Sequence, residues 1–142
     1  YLMEQKNIFT YGPLMFPMVW DQVVKGSYNL SPAVLSEHIC YQIKGADYPV
    51  MIPKLLHNVK GMVYFNVAQD DIKRLDKFEG EYYFRLSVTA TQYDKEQVMV
   101  DTYILKPEYY SVMEEKRWDV KQFQIEGLDR FMKSYFGFDK IN

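Results

Sequence analysis

Runs in which apolar and polar side chains alternate residue by residue fill the middle of this chain, and they leave little choice of fold. A period of two puts successive side chains on opposite faces of an extended strand. From Ala33 to Lys44, Leu35, Glu37, Ile39, Tyr41 and Ile43 face one way, and His38, Cys40, Gln42 and Lys44 the other. Val59 to Val67 alternates again, with Val59, Gly61, Val63, Phe65 and Val67 together. Tyr82 to Tyr93 sets Tyr82, Phe84, Leu86 and Val88 against Tyr83, Arg85, Ser87 and Thr89. The polar stretch Tyr93-Asp94-Lys95-Glu96 then turns into a further strand, Gln97 to Leu105. A shorter strand, Asn7 to Tyr11, stops at Gly12-Pro13, because proline cannot donate to a ladder and glycine permits a sharp turn.

The remaining segments read as helices and connectors. Met15 to Val24 reads as a short helix. Asp70 and Asp71 open another, where acids suit the positive N-terminal end. Ile72, Leu75 and Phe78 recur every three residues along it, and Gly80 fits as its terminator. Gly45 to Pro53 reads as a loop held by two prolines, and Glu114 to Arg117 as a solvated stretch ahead of Trp118. After Pro107 the pattern turns helical, with Val120, Phe123, Leu128, Phe131, Met132 and Tyr135 on one face and Gly137 at the end. Strands in the middle and helices at the ends predict an α+β domain with a mixed, strongly curved or barrel-like sheet. A length of 142 residues suits one domain over 1–142, and 48% apolar residues supply a core without disulfide or metal support.

Charge and cysteine content exclude several function classes. The net charge is −2 and the Lys and Arg residues form no basic run, so nucleic acid is not an expected partner. No stretch reaches the length of a membrane span, and Tyr1 to Lys6 carries no export signal. Cys40 stands alone, which rules out an internal disulfide and a thiolate metal cluster and agrees with a cytoplasmic location. His38 and Cys40 lie two apart on one strand face, too far for a nucleophile–base hydrogen bond. His38 and His57 lack the carboxylates of a metal site, so no cofactor is expected. Oligomeric state is not legible in the sequence.

Three segments carry chemistry. Tyr11-Gly12-Pro13-Leu14-Met15 is a strand end that breaks into a helix start, where unpaired amides can meet an anionic group. Gly45 to Pro53 embeds Tyr48 between fixed prolines and can form a rigid pocket wall or a plain connector. Leu75 to Arg85 places Glu79 in the last turn of a helix, beside its negative end, where the carboxylate is disfavoured and its pKa rises. A carboxyl group poised nearer neutrality is a better proton shuttle, although the charge pattern alone equally describes a solvated helix-end acid. Glu81 falls on the exposed side.

Together these segments resemble the γ-glutamyl cyclotransferase-like superfamily, in its AIG2-like branch. The family's Tyr-Gly-x-Leu stands here as Tyr11-Gly12-Pro13-Leu14, and its Tyr-Pro with a second Pro as Tyr48-Pro49 and Pro53. Its Leu-Asp-x-Phe-Glu-Gly-x-x-Tyr-x-Arg runs without a gap from Leu75 to Arg85, and the tail from Trp118 to Phe131 is similar to that branch's terminal helix. Pro13 departs from the family's usual Ser or Thr, removing one hydroxyl and one N–H.

The resemblance implies a metal-independent enzyme, with a transferase-type reaction that releases 5-oxoproline and a free amine from a γ-glutamyl amine, amino acid or peptide. It implies Glu79 as the general acid/base. Tyr11, Gly12, Pro13 and Leu14 would hold the substrate, Tyr48 and Tyr83 would line the pocket, and Arg85 would hold a carboxylate or brace the fold. The competing reading is a small-metabolite-binding module on the same fold without turnover, which Pro13 favours.

Overall fold

The computed structural model describes residues 5–135 and 137–141; residues 1–4, on which the reading of the leader mostly rests, lie outside them. Five strands form the body: β1 (Lys6–Thr10), β2 (Leu30–Ile43), β3 (Pro49–Val67), β4 (Tyr83–Gln92) and β5 (Gln97–Leu105). Their order is β3-β1-β5-β4-β2, and β2 pairs back onto β3, so the sheet closes into a barrel. All pairings are antiparallel except β1 with β5. Closure pairs away strand edges that would otherwise expose unbonded backbone. Each of the five strands sends apolar side chains to one shared cluster: Phe9, Leu35, Met51, Val63, Ala90 and Val100 are all buried in it, with no helix contributing. That cluster is the barrel interior.

The helices cover the outside. A 3₁₀ turn (Pro13–Met15) leads into α1 (Pro17–Val23); α2 is Gln69–Glu79; and the tail carries α3 (Val120–Gln122), a wide turn, α4 (Leu128–Ser134) and α5 (Gly137–Lys140). Their apolar sides meet the outward side chains of the strands in a second core. Trp20 of α1 lies flat on Tyr64 of β3, ring centres 3.6 Å apart. Asp71, in the first turn of α2, accepts hydrogen bonds from the Lys25 and Gly26 amides (2.9 and 3.0 Å) and from the Tyr28 hydroxyl (2.6 Å). It also meets the Arg74 guanidinium at 2.7 Å. Burial alone would raise its pKa, but these donors outweigh that and hold it below the ordinary value.

Three expectations need correction. The prolines of Gly45 to Pro53 do not keep that segment a loop: β3 begins at Pro49. A first strand residue needs no ladder donor, and Pro53 sits opposite His38, where the β2–β3 register shifts. The segment after Pro107 is not helical at once. A 3₁₀ stretch (Pro107–Val112) precedes a sixth strand, β6 (Met113–Arg117), which pairs with the far end of β2. The charged run Glu114 to Arg117 thus lies on an edge strand, where Glu115, Lys116 and Arg117 are exposed, in line with a solvated stretch. In the tail, α4 stops at Ser134 and Gly137 opens α5 rather than ending a helix.

Candidate active site

Glu79 is the last residue of α2, and its position follows from Gly80. That residue takes φ +86°, which side chains disfavour, and its N–H donates to the Asp76 carbonyl at 3.2 Å. The chain then turns into β4, leaving Glu79 against a cleft at one end of the barrel. The wall of the cleft opposite α2 is the end of β1 and the turn after it, Tyr11 to Leu14. Tyr48, Pro49, Tyr83 and Tyr103 line its sides, and Phe131 and Tyr135 of the tail roof it. Gly12 is required here: a Cβ on it would stand 2.9 Å from the Pro49 ring.

The carboxyl group is desolvated. Burial, reinforced by the charge of Asp76, lifts the Glu79 pKa from 4.5 to about 8. The direction is the one the sequence implies, but the main cause is loss of water rather than the helix end. Glu79 is half-buried, and it lines both this cleft and a neighbouring pocket against Gly80 to Tyr83. Among the described residues no donor reaches its carboxyl, and no fully enclosed side-chain oxygen lacks a partner, so its oxygens are not fully enclosed.

The tyrosines around it are committed elsewhere. Tyr11 donates to the Tyr103 carbonyl (2.7 Å), Tyr83 to the Pro49 carbonyl (2.9 Å) and Tyr135 to the Phe78 carbonyl (3.0 Å). The Tyr103 hydroxyl donates to Asp76 Oδ1 at 2.7 Å. Burial raises the pKa of each, and the nearby Glu79 charge adds to the rise. All four stay protonated across the physiological range. Glu79 is thus the lining carboxyl whose proton can come and go near neutrality. Opposite it, the Gly12 and Leu14 amides meet no acceptor among the described residues. Pro13 begins the 3₁₀ turn, a position that needs no N–H donor, so the turn forms without the family's hydroxyl residue.

Of the residues singled out from sequence, Tyr11, Gly12, Pro13, Leu14, Tyr48, Glu79 and Tyr83 come together around this cleft, and Arg85 does not. Arg85 Nε donates to Asp76 Oδ1 at 3.0 Å, and its Nη1 donates to Asp101 Oδ2 at 2.5 Å. It braces α2 against β5 and acts on the cleft only through Asp76, which sits one turn from Glu79 on the same helix face. Sequence reasoning missed Tyr103, Phe131 and Tyr135 as lining residues. Only β5 register and the tail's return path place them there, and neither leaves a local motif. Burial pushes the Cys40 thiol well up, against any nucleophilic role. Among the described residues no group of three or more His, Cys, Asp or Glu could hold a metal ion. No helix is long and apolar enough to cross a membrane.

A closed mixed barrel with helices outside is the γ-glutamyl cyclotransferase-like fold. A solved γ-glutamyl cyclotransferase superimposes with a TM-score of 0.64 at 15% identity, over 72% of this chain and 68% of that one. An Arabidopsis thaliana solution structure fits better, with a TM-score of 0.72 at 26% identity, covering 92% of this chain and 79% of that chain. The chain belongs to the γ-glutamyl cyclotransferase, AIG2-like family, whose model matches residues 8–120. AIG2-like protein D of Arabidopsis thaliana is 31% identical over 139 residues, covering 91% of this chain and 88% of its own length.

Proposed function

We propose that this protein is a γ-glutamyl cyclotransferase, releasing 5-oxoproline and a free amine from a γ-glutamyl compound. The observation that carries the reading is the desolvated Glu79 carboxyl lining the cleft, with a pKa of about 8. The reaction is an intramolecular acyl transfer. The α-ammonium loses a proton to Glu79, and the freed α-nitrogen attacks the γ-carbonyl. The ring C–N bond forms and the bond to the leaving amine breaks. The α-nitrogen gives up a second proton, and the departing nitrogen gains two. Glu79, alternating between carboxylate and acid, can relay them. Both reacting groups sit on one molecule, so holding it folded can supply several kcal/mol of barrier reduction. The amides of Gly12 and Leu14 are suited to the developing oxyanion or the α-carboxylate.

The cleft as it stands encloses about 30 Å³, room for roughly two waters. Substrate therefore enters only as the Tyr48, Phe131 and Tyr135 rings give way. This tight cleft and Pro13 favour the second reading, a binding module without turnover. A 5-oxoproline release assay with γ-glutamyl compounds decides between them. Glu79→Gln keeps size and loses basicity, so product formation should fall at least a hundredfold with the fold intact. Undiminished turnover in that variant would end the assignment of Glu79. Thermal stabilisation by γ-glutamyl compounds without product would establish the binding module.

A further inference from the structure

Between Ser36 and His38 the β2–β3 ladder loses its register. Ser36 pairs with Asn58 and His38 with Pro53, so Glu37 alone faces Lys54-Leu55-Leu56-His57. The extra residues of β3 stand out as a knob. Leu55 is 78% exposed and Leu56 92%. Glu37 and Leu56 both take left-handed backbone, φ +62° and +67°, a strained choice for a leucine. Glu37 holds the knob in shape: its Oε2 accepts from the Leu56 N–H at 3.0 Å. Both leucines stand in water, so no burial within one copy of the chain offsets the strain. Lys54, the knob's cation, lies over the Tyr41 ring, 5.9 Å from its centre. The same strand carries a socket. Asn58 and Val59, which follow the knob, line a chamber of about 470 Å³ that opens to solvent. Met15, Met62 and Trp118 form apolar walls, with the exposed side chains of Tyr93 and Val120. Lys60 and Arg117 also line it and no carboxylate does; among the described residues neither cation makes an ion pair.

We infer that this face joins two copies of the chain, with Leu55 and Leu56 of each copy seated in the chamber of the other and Glu37 of each facing Lys60 and Arg117 of the other. Knob and socket follow one another on β3, so a single two-fold axis lets both contacts form at once and the assembly closes as a dimer. The chamber is ample for two leucine side chains. Burying them there removes apolar surface from water on both copies. Charge decides the occupant. The exposed Glu37 carboxylate beside the leucines complements the two cations of the chamber, which an uncharged apolar partner would leave unpaired. An apolar centre with charges at its rim is the ordinary make-up of such an interface. The inference is independent of the chemistry at Glu79.

Sedimentation velocity over a concentration series tests it. The wild type should pass from monomer to dimer through the micromolar range. Leu55→Ser/Leu56→Asn removes the apolar knob, and asparagine suits the left-handed backbone, so this variant should stay folded by circular dichroism. It should dimerise about a hundredfold more weakly, or worse. A charge exchange separates a lost contact from a disturbed fold. Glu37→Lys alone, and Lys60→Glu/Arg117→Glu alone, should each dimerise about tenfold more weakly. Their mixture should recover wild-type affinity as a heterodimer, because both knob–socket contacts then set opposite charges together. A wild type that stays monomeric, a leucine variant that dimerises unchanged, or a mixture no tighter than its parts would overturn the inference. Co-sedimentation of a monomeric wild type with anionic lipid vesicles, lost in the leucine variant, would overturn it in favour of a membrane surface.

Discussion

Replacing Glu79 by Gln should stabilise this protein in a strongly pH-dependent way, whether or not it is an enzyme. The folded protein holds the Glu79 proton up to about pH 8, while the unfolded chain releases it near 4.5. Between these values the folded state binds more protons, so stability falls as pH rises, by at most about 1.4 kcal/mol per pH unit. The stability conferred by the neutral acid is fully present below pH 4.5 and is lost as pH climbs through the folded value. Shifting the pKa from 4.5 to about 8 sets a ceiling of roughly 5 kcal/mol. Contact of the carboxyl with cleft water reduces this to an expected cost of roughly 2–4 kcal/mol, a large share of a typical domain's stability. Glutamine never ionises. The variant should therefore match the wild type within a few tenths of a kcal/mol at pH 4.5 and exceed it by roughly 2–4 kcal/mol at pH 9. Urea denaturation of both proteins at half-unit pH steps measures this, because every other titrating group cancels in the difference. A difference that stays flat from pH 4.5 to 9 would refute the reasoning, since Glu79 would then titrate alike in both states.

The same carboxyl should shape catalysis: kcat/KM for 5-oxoproline release should rise through about pH 8 as Glu79 becomes a base, a limb that pH-rate profiles will locate. Arg85→Met leaves the buried Asp101 and the neighbouring Asp76 without their cation, and should cost about 2–4 kcal/mol by chemical denaturation. The same change should move the limb of the pH-rate profile upward with little effect on KM, whereas a raised KM alone would return Arg85 to substrate binding. Asp71→Asn weakens the bonds to Lys25, Gly26, Tyr28 and Arg74 and should cost about 1–3 kcal/mol near neutrality. That gap should close as pH falls through the lowered folded pKa of Asp71, which paired denaturation curves will show. Trp20→Ala removes a ring stacked on Tyr64 in the outer core and should cost about 3–5 kcal/mol, measured the same way.

The barrel was legible because alternation is a local signal. All but the last residue of Ala33 to Lys44 falls inside β2, and Val59 to Val67 falls inside β3. The ends of α2 were legible for the same reason, with acids at one and Gly80 at the other. What sequence reading lost were elements defined by a distant partner. Met113 to Arg117 has no apolar face of its own and is a strand only because the far end of β2 offers an open edge. Pro49 to Pro53 looks like a loop until β2 supplies the ladder against it. On β4 the alternation was visible but not its outcome: Tyr83 is 7% exposed, while Phe84 and Leu86 are 38% and 40% exposed. At the cleft, Tyr11 to Leu14, Tyr48, Glu79 and Tyr83 could be read from motifs, whereas Tyr103 and the roof depend on tertiary placement.

Phe131 and Tyr135 lie beyond residue 120, where the match to the family model stops, yet they form the ceiling over Glu79. Hearth and chimney cap come from separate stretches of chain. Exchanging the last two dozen residues between relatives would thus change the ceiling, and with it the desolvation of a carboxyl that the barrel and α2 alone put in place.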